Sequence, residues 1–303
     1  MIAIARLADR SPTSAAAVAA SLLLAAFVLF PVVGVFMVVP VTLSAATVAF
    51  VILRRGERAA LRAGLICFVM LLAVSAIMLR SALAIPVAAL SSWLPPVAVA
   101  LVLARTSSLA LATLAAVALG MLAVLAFTLV TGDPAAWWRT EIERMLGALT
   151  DAGRAGGVDV AAATEAIAPI AFWLTGALGA SIALSALVAL FIARHWQAVL
   201  VNPGGFATEF RALSLGRGAA LGTLALVAAA ATLGGPLLVG LAIVACFGFV
   251  LQGLAILHAL VARHALPAFW LYAIYALLVM VPYLWPLLLA LGLLDNRVPL
   301  RRG

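Results

Sequence analysis

The residues of this chain that could do chemistry are few, and each lies in or beside a long stretch of hydrocarbon side chains. Gln252 interrupts the apolar run Leu237–Leu257, and Gly253 follows it. An amide inside lipid needs a partner, and glycine lets a second helix come close. The pair is therefore either interhelical glue or a substrate contact. Arg80 ends another apolar run, where it either snorkels to the interface or holds an anion through a charge-assisted hydrogen bond. Ser91–Ser92–Trp93–Leu94–Pro95–Pro96 puts two prolines inside a third run. Proline lacks a donor and disfavours helix in the residue before it. This predicts a break whose freed carbonyls either line a site, as in transporters, or only kink the helix. Trp173 offers an aromatic face for stacking or simple packing. Together Arg80, Ser91, Ser92, Trp93, Trp173 and Gln252 form a candidate small-molecule site of non-covalent chemistry.

Bond-making signatures are missing from the sequence. It contains no phosphate-binding glycine loop, no His-Glu-x-x-His, no Ser/His/Asp set in a recognisable context, and no ATPase module. Cys67 and Cys246 sit in apolar stretches without a CxxC spacing, so neither a metal nor a cofactor is expected. His195, His258 and His264 stand near helix ends and read as interfacial residues. The chain is read as a non-enzyme.

The elements that must position these residues are membrane helices. A bilayer core about 30 Å thick takes about 20 apolar residues of helix. The fold class expected is all-α, a polytopic membrane bundle in one domain over 1–303. Nine segments are read, at 13–30, 32–53, 63–80, 82–104, 107–131, 167–193, 217–232, 236–262 and 267–293. Pro31 is expected to make a corner between the first two. The formal net charge of +8 comes from arginine alone, since the chain has no lysine. That composition suits a GC-rich bacterial genome. The arginines flank apolar runs as the positive-inside rule requires, so nucleic acid is not an expected partner.

Putting Arg54, Arg55, Arg58 and Arg62, and the second cluster Arg194, Arg211 and Arg217, in the cytoplasm puts the N-terminus there too. The expected location is a bacterial inner membrane, with the 132–166 loop outside. That loop carries three arginines against six carboxylates. Asp133–Pro134 is a helix start, and Trp138, Ile142, Met145 and Leu149 fall on one face of the helix that follows. It is either a connector resting in the headgroup layer or a lid, with Gly153–Gly157 as hinge. On the other side, the 195–216 loop presents Phe206, Phe210 and Leu213 as an apolar face beside Glu209 and Arg211. That face would suit a protein partner or the inner leaflet. Nine crossings would leave Asn296–Gly303 outside, against the charge bias, so the side of the C-terminus stays open.

Several stretches together carry a family resemblance. Pro31 to Pro40 leading into Arg54–Arg55–Gly56, then Asn202–Pro203–Gly204–Gly205–Phe206 with Glu209–Phe210 and Leu213, then Gln252–Gly253 and Gly292–Leu293–Leu294–Asp295, resemble the YybS-like bacterial membrane proteins. The ending departs from that pattern, with Asn296–Arg297–Val298–Pro299 in place of an aromatic-rich tail. The family is in turn similar, over the first six segments, to substrate-binding subunits of energy-coupling-factor transporters. Those subunits meet a membrane partner through an alanine-x-x-x-alanine pattern, which Ala15/Ala19 and Ala16/Ala20 match. The three further C-terminal segments depart from the six-helix pattern. The resemblance implies small-molecule handling. Two functions follow as expectations: a binding or transport subunit without its own energy-coupling domain, or a scaffold that docks a partner through its cytoplasmic loops.

Overall fold

A computed structural model describes residues 2–33, 37–78, 83–151, 160–267, 269–281 and 283–298 of the chain. Every regular element among them is an α-helix. In chain order these are α1 (Ile2–Ala8), α2 (Pro12–Val33), α3 (Val38–Arg55), α4 (Glu57–Met78), α5 (Ala84–Thr106) and α6 (Leu109–Thr131). Then follow α7 (Pro134–Asp151), α8 (Val160–Val201), α9 (Gly205–Arg211), α10 (Gly216–Leu233), α11 (Pro236–Arg263), α12 (Phe269–Met280) and α13 (Leu284–Leu294). Among the described residues seven helices are long and apolar enough to cross a membrane, namely α3, α4, α5, α6, α8, α10 and α11. Of the nine segments read from sequence, seven are matched by helices of that length among the described residues. Helix α2 is 22 residues long and apolar over Pro12–Phe27, while α12 and α13 are apolar but shorter. The protein is an integral membrane protein.

Two local expectations are corrected. Helix α2 runs through Pro31 to Val33, so the chain does not turn at Pro31. Proline removes one hydrogen bond there, whereas unwinding in hydrocarbon would strand several. Helix α8 continues to Val201, so the 195–216 loop is helical at its start and again in α9. The Gly153–Gly157 hinge lies outside the described residues.

The chain divides into two compact units, with the division falling inside α6 and α8. In the first, residues 1–116 and 184–213, the core is α3. Ser44 through Ile52 are all buried, as expected of a helix apolar all round. Helices α1, α2, α4 and α5 all pack on it. Alanines let them come close, and Ala15, Ala16, Ala19 and Ala20 of α2 are only 1–2% exposed. The alanine pattern that the resemblance assigned to a partner is therefore used within the chain. Polar atoms in this core are paired locally. Ser44 donates to the Ala19 carbonyl (2.8 Å) and accepts from the Trp93 indole (3.1 Å).

In the second unit, residues 117–183 and 214–303, α11 is the core helix. Gly176 and Gly179 of α8, Gly120 of α6 and Gly240 of α11 lie where backbones nearly touch. A Cβ on Gly179 would stand 2.6 Å from a Val124 methyl and 2.7 Å from the Gly120 carbonyl oxygen. Val117, Val124 and Val244 close the space beside them. Helix α13 crosses α11 just as closely. Gly253 lies against the Leu288 carbonyl and Gly292 against the Phe249 carbonyl. That reciprocal pairing is the register of antiparallel helices.

It also decides where the last segment goes. Helices α12 and α13, at 12 and 11 residues, measure about 18 and 16 Å and are each too short to cross. They return along the second half of α11, and Asn296 ends against Ser214, Gly216 and Arg217 (3.3, 3.1 and 3.1 Å). Asn296, near the end of the described residues, thus lies beside the start of α10, on the same side as Arg217 of the second arginine cluster.

Helix α7 begins as its sequence requires, with Asp133 Oδ1 accepting from the amides of Ala135 and Ala136 (3.0 and 3.1 Å). Trp138 donates to Thr175 Oγ1 (3.0 Å) and stacks on Phe127. Along the rest of the expected inner face Ile142 is half-buried, and Met145 and Leu149 are exposed. On its polar side Arg144 forks onto Glu141, and that hydrogen bond holds the Glu141 carboxyl below the usual carboxylate range.

Gly179→Val should lower stability by roughly 1–3 kcal/mol through overpacking, read as a drop in unfolding temperature in detergent. Gly64, whose added Cβ would meet nothing within 4 Å, should accept alanine without loss. Equal effects would mean the helices do not approach as described. With Cys67 and Cys246 replaced, Ala212→Cys and Val298→Cys should react with an impermeant maleimide from the same side of the membrane. Labelling from opposite sides would contradict the α13 placement.

Candidate functional site

Helix ends leave carbonyls without partners, and in the first unit those ends carry the arginines. Helix α3 closes with Arg54–Arg55 and turns at Gly56 (φ 83°), and α5 closes with Arg105 and turns at Ser107 (φ 52°). Cations at helix C-termini are favourable, and each also finds a carboxylate. Arg105 forks onto Glu57 (2.7 and 2.9 Å), and Arg54 Nε meets Asp9 at 3.3 Å. Arg55 reaches both the carboxylate and the carbonyl of Asp9. The N-terminal residues therefore share an end with the first arginine cluster.

At this end α8 brings Arg194 and Gln197 onto one helix face through i, i+3 spacing. Gln197 Nε2 donates to the Leu53 carbonyl (2.8 Å), taking one of the orphan acceptors of α3. The side chain of Arg194 is only 14% exposed and grips Glu209 of α9 as a fork, with Nε–Oε2 at 2.9 Å and Nη2 on Oε1. Together with Gly56 and Ser107 these side chains line a cavity of about 370 Å³. Leu53 and Leu103 supply an apolar wall. The cavity offers a guanidinium, a carboxylate, an amide and a hydroxyl against that wall, which is the make-up of a small-ligand pocket. A ligand anion would compete with Glu209 for Arg194. Among the described residues no group of three His, Cys, Asp or Glu side chains could hold a metal ion.

The residues singled out from sequence lie elsewhere. Arg80 is outside the described residues. Helix α5 is continuous through Pro95 and Pro96, so the expected break is not an unwinding. The hydroxyls of Ser91 and Ser92 bond the carbonyls of Ala88 and Ala89 (2.9 and 2.8 Å), tying them to the preceding turn. Trp93 is buried on Ser44. Trp173 belongs to the second unit, is 53% exposed, and lines an apolar cavity of about 630 Å³ with Val227, Ile243, Phe247 and Trp285. Gln252, in that same unit, does not line it.

Instead Gln252 is fully buried and spends both ends of its amide inside the chain. Its Oε1 accepts from the Leu215 amide (2.9 Å) and its Nε2 donates to Asp295 Oδ2 (3.0 Å). Asn296 Nδ2 adds a bond to the Gly292 carbonyl (2.9 Å). The network joins the start of α10, the middle of α11 and the end of α13.

The apolar face of the 195–216 segment is turned inward. Phe206 and Phe210 pack on Phe191 with ring centroids 5.6 and 5.5 Å apart, and Leu213 is 2% exposed. Glu209 pairs with Arg194, and Arg211 alone of the five lies exposed on the surface. Sequence reasoning missed Arg194, Gln197 and Ser107 as a set. The one usable signal was Arg194 and Gln197 sharing a helix face.

No family model, curated protein or solved structure matches this chain. Gln252→Leu keeps the side-chain volume but strands the Leu215 amide and removes a hydrogen bond from Asp295. The expected loss is about 1–3 kcal/mol, measured as a lower unfolding temperature in detergent. Stability equal to wild type would mean that the amide locks nothing.

Proposed function

We propose that this chain is a ligand-binding subunit of a bacterial plasma membrane, with its N-terminus and arginine-bearing helix ends in the cytoplasm. Its ligand is a small molecule bearing an anionic group, taken into the cavity of Arg194, Gln197 and Glu209. The observation that carries this reading is the shielded Arg194 fork at the mouth of a polar cavity. A guanidinium held in that way recognises carboxylate or phosphate with fixed geometry. The ligand anion replaces Glu209, and α9 thereby loses its ionic tie to α8 while Phe206 and Phe210 stay on Phe191. Ligand occupancy becomes legible as a change in the 202–215 connection. Any transport would draw its energy from another protein. The YybS-like motifs and their implied small-molecule handling are in keeping with this reading. The scaffold alternative loses its best surface, since Phe206, Phe210 and Leu213 already pack within the chain.

Thermal unfolding of the purified protein across a panel of carboxylate and phosphate metabolites tests the proposal. A true ligand at a hundred times its Kd stabilises by about 2.7 kcal/mol. Arg194→Gln should cut that ligand's affinity at least about tenfold, the scale of one charge-assisted bond. Stabilisation that survives Arg194→Gln unchanged would move the ligand out of this cavity.

A further inference from the structure

The first unit carries a second concavity of different chemistry. It is an open groove of about 430 Å³ between α4 and α5, floored by Val48 and Ile52 of α3 and by Trp93. Its banks are leucines, Leu61 and Leu65 on α4 and Leu90 and Leu94 on α5, all exposed. Glu57 alone among the lining residues is charged. Along α4 the groove runs from Glu57 to Phe68, about 16 Å at the helical rise. That is roughly one leaflet of a hydrocarbon core about 30 Å thick.

What occupies it is indicated by charge at one end. Glu57 is neutralised by Arg105, which forks onto it. Arg58 and Arg62 stand one turn apart on α4, three residues before Leu61 and Leu65 respectively, so i, i+3 spacing sets them beside that leucine bank, and both are exposed. Neither has an ion-pair partner among the described residues, unlike Arg54, Arg55, Arg105 and Arg194. The result is an apolar trough one leaflet deep, headed by two uncompensated guanidinium groups. We infer that it binds an anionic phospholipid, with one acyl chain in the trough and the phosphate on Arg58 and Arg62. A guanidinium pair suits a phosphodiester through two-pronged hydrogen bonds, and the trough excludes competing water from the chain.

The full-length protein in mild detergent, mixed with phosphatidylglycerol or phosphatidylcholine of identical chains and read by native mass spectrometry, provides the test. Two surface arginines should favour the anionic lipid by about thirty-fold. Arg58→Gln with Arg62→Gln should bring that preference within about twofold, leaving phosphatidylcholine retention as in wild type. Gly64 lines the trough, and a Cβ added there meets no atom within 4 Å. Gly64→Leu should therefore fold normally, fill the trough and lower retention of both lipids. Equal retention of the two lipids by wild type would overturn the inference. So would a preference that survives the double substitution, or unaltered retention by Gly64→Leu.

Discussion

Hydrocarbon cannot hydrogen-bond an amide, and this chain is organised around that refusal. A stranded polar group in lipid costs several kcal/mol, so backbone groups close on themselves as helix, and side chains must do likewise. Buried Ser44 bonds the backbone of a neighbouring helix, buried Thr47 and Thr113 bond their own preceding turn, and Gln252 is satisfied at both ends. Among the described residues only the indole nitrogen of Trp196 is buried without a partner, edge-on to Phe50. The same constraint explains why Pro31 and Pro95–Pro96 do not break their helices. Where no water can replace a lost bond, losing one is cheaper than losing a turn.

Once the backbone is satisfied, burial of apolar surface no longer selects one arrangement, because lipid tails are as apolar as leucine. Close packing and a few polar locks do the selecting. Each unit follows this rule around a single helix. Helix α3 is sheathed through alanines, and α11 is gripped through glycines at 176, 179, 240, 253 and 292. The α11–α13 crossing combines both devices. Gly253 and Gly292 bring the backbones together, and the adjacent Gln252 fixes the register by reaching Asp295. A sequence that is 67% hydrophobic thus gains specificity from its smallest residues and its rarest ones.

How much of this was legible follows from the range of the interactions. Helices, their approximate limits and the start of α7 at Asp133 rest on contacts within a few residues, and the sequence displays them. That Gln252 needs partners was equally plain. Their identity was not, because Leu215 and Asp295 are 37 and 43 residues away. Phe206, Phe210 and Leu213 were seen as one face, but a face does not say which way it turns, and Phe191 decided that. The polar cavity was hidden for the same reason, since Gln197 meets Leu53 across 144 residues. The last segment left the side of the C-terminus open, because length and charge do not say against which helix it packs. Two short helices can hold as many apolar residues as one crossing and still return to the side they left.

The arginines of the first unit gain meaning when sorted by partner instead of summed as charge. Arg54 and Arg55 hold Asp9, Arg105 holds Glu57, and Arg194 holds Glu209. Each of these joins the end of one helix to another segment, so these cations act as clasps. Exposed clasps such as Arg105–Glu57 contribute little, because water and salt screen them. Arg194 is the most shielded, and its exchange of one anion for another would be felt by the structure. Arg58 and Arg62 have no ion-pair partner among the described residues and leave their charge for the headgroup layer. A positive-inside bias counted over loops merges these two populations. Their separation, visible only once partners are known, distinguishes residues that hold the fold from residues that address the membrane.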